Sequence, residues 1–190
     1  MEVYIEDKEF DKLVFSDKPL EKGEYENCIF TNCDFSNADL SKIIFSECEF
    51  VNCNLSMAKL QGTAFRKVKF TDCKLLGLNF ENCNPFGLEM SFEHCVLDHS
   101  IFYKTNLKNT SFINSQIHEA DFTESDLTHS IFEKCDLQGA TFENTILEKA
   151  NLKTAYNFQI DPEKNRIKKA KFSTENISGL LAQYDIKIEK

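Results

Sequence analysis

Residues 33–40 read CDFSNADL, which places a small residue, an acidic residue and a large apolar residue in the same order twice, five positions apart. Neither an α-helix, with a period of about 3.6 residues, nor a strand, with a period of 2, repeats in this way. A chain that turns a corner every five residues would keep both large apolar residues, Phe35 and Leu40, on the same side. The stretch therefore predicts short flat segments joined by regular corners.

The five-residue period continues along most of the 190-residue chain. A large apolar residue, which we call the centre of a repeat, fills all fifteen slots from Phe10 to Phe80 and all thirteen from Phe92 to Leu152. Pro85 interrupts the series, and the twelve-residue step from Phe80 to Phe92 is two residues longer than two repeats. Residues 81–91 must therefore contain a slip, a bulge or a longer corner.

A second selective slot lies two residues before each centre and holds Cys, Ala, Ser or Thr, as at Cys33 and Ala38. If both slots face one interior, the chain forms a solenoid whose coils stack about 4.8 Å apart. Phe alternates with Leu or Ile in the second series, which favours an even number of faces. Four faces leave room for an interior, so we expect 20 residues per coil, about seven coils, and Phe columns on two opposite walls.

These residues resemble the A(D/N)LXX signature of the pentapeptide-repeat proteins. The best matches are ADL at 38–40, ADF at 120–122 and ANL at 150–152. The resemblance covers about three quarters of the chain and implies an all-β fold, a right-handed quadrilateral β-helix. We expect this β-helix over residues 1–156, with a register break at 81–91, and a C-terminal cap and dimerisation segment over residues 157–190.

The tail after the repeats reads differently. Ser173 or Thr174 could cap a helix over STENISGLLAQY, although Gly179 weakens it, and residues 185–189 alternate like a short strand. A C-terminal helical cap is the prediction. In the quinolone-resistance branch of the family (the Qnr, MfpA and McbG proteins) such a segment forms homodimers, so the resemblance implies a dimer here. Its interface would comprise Ile177, Leu180, Leu181, Tyr184, Ile186 and Ile188.

No enzymatic chemistry is indicated. All eight Cys residues occupy the small inward slot, where parallel thiols pack rather than converge on a metal. The four His residues, at 94, 99, 118 and 129, occupy outward slots without a recognisable nucleophile or carboxylate motif. We find no phosphate-binding loop or hydrolase motif. The sequence predicts no enzyme, no cofactor and no metal site.

Charge divides the chain into four zones. The net charge is −8 over residues 1–55, +4 over 56–80, −9 over 81–148 and +4 over 149–190, which gives −9 in total. This balance argues against direct nucleic-acid binding. The first residues have no secretory apolar segment and no stretch could span a membrane, so we expect a cytoplasmic protein. A basic belt comprises Lys59, Arg66, Lys67, Lys69 and Lys74.

The family resemblance supplies the leading functional hypothesis. In its Qnr and MfpA members, an acidic rod is thought to occupy the DNA-binding groove of DNA gyrase or topoisomerase IV, which implies a DNA mimic that modulates quinolone or toxin sensitivity. The alternative is an interaction scaffold for another protein, which an apolar patch near Pro85, Phe86, Leu88 and Met90 would favour. For the mimic, the expected acidic surface comprises Glu119, Asp121, Glu124, Asp126, Glu133, Asp136, Glu143 and Glu148.

Overall fold

The computed structural model describes residues 3–15 and 18–187. Its strands are three or four residues long, and every strand pair is parallel. A four-stranded sheet contains Val3–Glu6, Gly23–Glu26, Ile44–Ser46 and Ala64–Arg66. A seven-stranded sheet contains Glu9–Asp11, Ile29–Thr31, Glu49–Val51, Val68–Thr71, Met90–Glu93, Ser111–Ile113 and Ile131–Glu133. This confirms an all-β solenoid.

The coils have four walls, which we name A to D in chain order. Wall A carries the four-stranded sheet and continues through bridges at Asn106, Asp126, Ile146 and Arg166. Wall B carries the seven-stranded sheet and continues through Asn151 and Lys171, beyond the last predicted repeat. Wall C is a column of single bridges from Val14 to Tyr156. Wall D has bridges that pair Asp39 with Lys59 and run from Asn79 to Thr141.

The predicted register break is a bulge on wall A. Partners are 20 residues apart before the break, as in Glu49 with Lys69, but Lys69 pairs with Ser91. A 3-10 helix at Phe80–Asn82 precedes it. On either side of the extra residues, the backbone N–H groups of Asn84 and Glu89 still donate to the carbonyls of Thr63 and Phe65 in the preceding coil. The two extra residues therefore protrude within 85–88.

Centre residues fill the interior as stacked columns. From Phe92 onward, Phe occupies walls B and D, as predicted: Phe112 stacks on Phe132 with centroids 4.7 Å apart, and Phe102 on Phe122 at 5.0 Å. Rings of the two columns meet edge to face, as for Phe112 and Phe122 at 6.1 Å and 87°. Such edge-to-face pairs stabilise the core beyond simple burial of area.

Side chains in the small slot also donate hydrogen bonds to the preceding coil. The Cys135 thiol donates to the Phe112 carbonyl at 3.2 Å, and the Thr145 hydroxyl to the Phe122 carbonyl at 2.8 Å. In each case the acceptor is the centre residue 23 positions earlier, in the preceding coil. The slot therefore favours small side chains that can also donate to a buried carbonyl of the preceding coil.

The predicted C-terminal α-helix is not confirmed. Residues Ile177–Leu180 and Ala182–Tyr184 form two 3-10 helices instead, and the described residues 185–187 contain no strand. The Asn176 side chain donates to the Leu152 and Ala155 carbonyls, and Ile160 N–H donates to the Gly179 carbonyl. These bonds hold the segment against the last coils, where it forms 3-10 turns and no α-helix.

Candidate partner-binding surface

The eight predicted acidic residues are distributed over all four walls. Asp121, Glu124 and Glu143 lie on wall D or its corner, and Glu119 lies at the corner between walls C and D. The other four point elsewhere: Asp126 and Glu148 lie on wall A, Glu133 on wall B and Asp136 on wall C. The structure therefore brings together half of the predicted set.

Two more carboxylates extend the wall D group toward the C-terminus. Asp161 lies 20 residues after Thr141 and Glu163 lies 20 after Glu143. No bridge joins Thr141 to Asp161, but Lys164 Nζ lies 3.2 Å from Glu143 Oε1, so the turn that contains Asp161 and Glu163 lies beside wall D. The 20-residue spacing was the sequence signal that could have found them. We call the resulting group the acidic face, which comprises Glu119, Asp121, Glu124, Glu143, Asp161 and Glu163.

Neighbouring groups only partly neutralise the acidic face. Lys104 Nζ lies 3.5 Å from Glu124 Oε2, and Lys164 Nζ lies 3.2 Å from Glu143 Oε1. The Asp121 carboxylate accepts a hydrogen bond from Thr123 N–H at 2.9 Å, which fixes its position at the turn. These exposed pairs are weak individually. Six carboxylates, two ammonium groups and the His99 imidazole, whose Nδ1 lies 3.2 Å from Glu119 Oε2, leave the face net negative.

The predicted acidic residues on the other walls are mostly engaged within the rod. Asp126 Oδ2 lies 3.2 Å from Lys108 Nζ, and Glu148 Oε1 lies 2.6 Å from Arg166 Nη2. Partial burial works against ionisation of Asp136, but a hydrogen bond from the Asn157 amide and the nearby His118 lower its pKa below the ordinary value. Their role is therefore better explained by contacts between coils than by a shared binding surface.

The basic belt encircles one coil. Lys59 lies on wall D, Arg66 and Lys67 on wall A, Lys69 on wall B and Lys74 on wall C. Three of its members reach back to acidic residues of preceding coils. The shortest of these contacts joins Lys67 and Glu47 at 2.7 Å. The belt therefore pairs with three carboxylates of the first acidic zone, and no described ion pair joins it to the acidic face.

The residues expected at a dimer interface form a small patch at the C-terminal end. Ile177, Tyr184 and Ile186 are 45%, 49% and 56% exposed. Leu180 and Leu181 are half-buried, and Leu180 packs against the core. Ile188 lies outside the described residues. The tail therefore offers exposed apolar side chains at one end of the solenoid.

The inward slot buries the thiols. All eight Cys residues are free and buried, and burial raises the pKa of the Cys48 and Cys135 thiols to about 12. Within residues 3–15 and 18–187, no cluster of three or more His, Cys, Asp or Glu residues could hold a metal ion. No helix in that part of the chain is long and apolar enough to cross a membrane.

Solved structures with this architecture include two proteins of different biology. QnrB1, described as a plasmid-mediated fluoroquinolone resistance protein, is 16% identical in its full-length form; the match covers 97% of this chain and 100% of QnrB1, with a TM-score of 0.63. HetL from Nostoc sp. strain PCC 7120, described as involved in heterocyst differentiation regulation, is 15% identical; the match covers 87% of this chain and 84% of HetL, with a TM-score of 0.67. These likenesses establish the fold.

Sequence comparison identifies the repeat directly. No curated protein matches the sequence. The profile of the pentapeptide repeat region matches residues 24–86 and 88–156, which meet at the bulge and together cover most of the chain. With the five-residue period, the four walls and the stacked centres, this match shows that the chain belongs to the pentapeptide-repeat family.

Proposed function

We propose that this protein is a non-enzymatic DNA mimic that binds DNA gyrase or topoisomerase IV through the acidic face. The observation that carries the proposal is the convergence of Glu119, Asp121, Glu124 and Glu143 on one side of the rod. The fold likeness to QnrB1, itself a fluoroquinolone resistance protein, supports the choice of a topoisomerase as partner. The expected consequence is altered quinolone or toxin sensitivity.

The physical basis is competition for a basic groove. Coils rise about 4.8 Å each, so the acidic face presents carboxylates in a fixed row along the rod. A groove that binds phosphates attracts such a row by the same electrostatic complementarity. Hydrogen bonds within the turns, as at Asp121, already hold these carboxylates in place. Binding therefore costs little side-chain entropy.

One observation favours a second candidate, an interaction scaffold for another protein. Phe86 is 77% exposed on the bulge, and Leu88 beside it is half-buried. An exposed aromatic residue on a protruding segment suits a protein contact. Met90 is buried, so the apolar patch is smaller than the sequence suggested.

Two further proposals concern the state of the protein. We propose a homodimer through the C-terminal segment, in which Ile177, Tyr184 and Ile186 leave water. We also propose a cytoplasmic location, where eight free thiols remain reduced. Sedimentation of the variant Ile177→Asp/Tyr184→Asp tests the dimer: it should be monomeric, and an unchanged dimer would refute this interface.

A supercoiling assay tests the function. Gyrase activity is measured as the purified protein is titrated, at two DNA concentrations, with and without a fluoroquinolone. We expect inhibition that added DNA relieves, or protection from the drug, and either effect should disappear in Glu119→Lys/Glu124→Lys. The matched control Glu93→Lys/Glu133→Lys changes the charge equally on wall B and should behave as the unmodified protein. Equal loss in both variants would refute a role for the acidic face.

A further inference from the structure

Wall A reverses its charge from one end to the other. Acidic side chains dominate its first two coils, and basic side chains dominate its last two coils and their corner. The acidic group comprises Glu6, Asp7, Glu24 and Glu26, and the basic group comprises Lys149, Arg166, Lys168 and Lys169. We call these groups the acidic end and the basic end of wall A.

Each end is only partly neutralised within the chain: Glu24 pairs with Arg66, and Arg166 pairs with Glu148. Among the described residues, no basic side chain lies within 4.0 Å of the Glu6, Asp7 or Glu26 carboxylates. The Tyr4 hydroxyl donates to Glu26 at 2.6 Å, and this bond and the surrounding carboxylates raise the pKa of Tyr4 to about 12. At the other end, Lys168 and Lys169 have no carboxylate that close in the described chain. Both ends therefore carry unpaired charges that can contact a partner.

The bulge divides wall A into equal halves. Four strands precede it, from Val3–Glu6 to Ala64–Arg66. Four bridged coils follow it, at Asn106, Asp126, Ile146 and Arg166. Phe86 protrudes from the bulge with 77% of its surface exposed. The wall is thus arranged symmetrically about an exposed aromatic residue, with opposite charge at equal distances on either side.

We propose that a second copy of this chain docks on wall A in antiparallel orientation, around a two-fold axis that passes through the bulge. A two-fold contact requires a self-complementary surface, which wall A provides. Phe86 then packs against Phe86 of the second copy. The acidic end of each copy faces the basic end of the other, with both ends about 19 Å from the axis at a rise of about 4.8 Å per coil.

The rest of the wall is compatible with this contact. Arg66 and Lys108 approach each other near the axis, but each has an acidic partner in its own copy: Glu24 at 3.6 Å and Asp126 at 3.2 Å. A wall about 38 Å long and about 10 Å wide is smaller than the roughly 800 Å² per partner of a standard interface. The association is therefore weak and depends on salt concentration.

Charge reversal tests the orientation. The background Ile177→Asp/Tyr184→Asp removes the proposed C-terminal contact, so that sedimentation equilibrium reports wall A alone. Glu6→Lys/Glu26→Lys cancels the net negative charge of the acidic end, and Lys168→Glu/Lys169→Glu cancels the net positive charge of the basic end. Each variant alone should self-associate at least about tenfold more weakly, and their equimolar mixture should form a heterodimer. Variants that self-associate as tightly as the background, or a mixture that stays monomeric, would overturn the proposal.

A cross-link tests the position of the axis. Phe86→Cys should form a disulfide-linked dimer under mild oxidation, because the same residue of both copies lies at the axis. Leu76→Cys, on wall C and also exposed, is the control and should remain unlinked. High salt should reduce the Phe86→Cys cross-link. No cross-link at Phe86→Cys, or equal cross-linking of both variants, would refute the two-fold contact.

Discussion

Replacing Phe112 by alanine should remove a central connection of the aromatic core. Phe112 is fully buried, stacks on Phe92 at 5.1 Å and Phe132 at 4.7 Å, and meets Phe102 and Phe122 edge to face. A buried Phe→Ala change costs about 3–5 kcal/mol of unfolding free energy. Four ring contacts are lost together and rigid coils on both sides resist collapse, so we expect about 4–5 kcal/mol.

Phe10→Ala is the matched comparison at the open end of the same column. Phe10 is half-buried, stacks on Phe30 at 4.7 Å and meets Tyr25 edge to face at 6.1 Å, so its loss should cost about 1–2 kcal/mol. Equilibrium urea unfolding followed by far-UV circular dichroism measures both values, since the chain has no Trp. A cost below about 2 kcal/mol for Phe112→Ala, or equal costs at the two sites, would refute the argument that stacked rings carry the stability.

Three further predictions concern buried and exposed polar groups. Thr145→Val should lose about 0.5–1.5 kcal/mol in the same unfolding assay because the buried hydroxyl's bond to the Phe122 carbonyl is lost, although Ser125 N–H and Oγ still donate to that carbonyl; Thr145→Ser should keep the bond. The eight buried thiols, with the pKa of Cys135 raised to about 12 by burial, should react with a thiol reagent only on unfolding; fast reaction of the native protein would contradict this. Hydrogen bonds from Ser41 lower the pKa of Asp39 from 3.8 to about 2, so its stabilisation is present above about pH 4 and is lost as the pH falls toward 2. Asp39→Asn should therefore shrink the stability difference between pH 5 and pH 2, by less than about 1 kcal/mol for this exposed group, and an unchanged difference would argue against the link.

The repeat could be predicted from sequence because every coil meets the same steric demand. Each interior position, such as Phe35 or Leu40, must be large and apolar, and each preceding slot must be small. These demands recur with a fixed period, so the walls and the Phe columns follow from counting. The two-residue excess at 81–91 predicted a break and left its form open; the structure shows a bulge on one wall.

The acidic surface was harder to predict because density along the chain does not report direction in space. Asp121 and Asp126 are five residues apart, yet they lie on different walls, since each repeat turns a corner. Residues 20 apart, such as Asp121 and Thr141, share a wall. Grouping charges by position within a coil would have separated the acidic face from Glu133 and its neighbours.

The tail illustrates the limit of helical periodicity. Ile177, Leu180, Leu181 and Tyr184 have the spacing of an amphipathic helix, and the sequence shows nothing of the surface beneath them. A Cβ atom on Gly179 would lie 2.5 Å from the Phe158 carbonyl oxygen, so the backbone itself rests on the last coil. Contact with the end of the solenoid therefore overrides local propensity, and 3-10 turns result.

Direct binding to the DNA-binding core of gyrase tests the central claim most closely. Surface plasmon resonance at two salt concentrations compares three proteins: the unmodified chain, Glu119→Lys/Glu124→Lys on the acidic face and Glu93→Lys/Glu133→Lys on wall B. The account predicts binding that weakens with salt, that duplex DNA displaces, and that only the acidic-face variant loses. Absence of binding by the unmodified chain, or binding that the acidic-face variant retains in full, would contradict it.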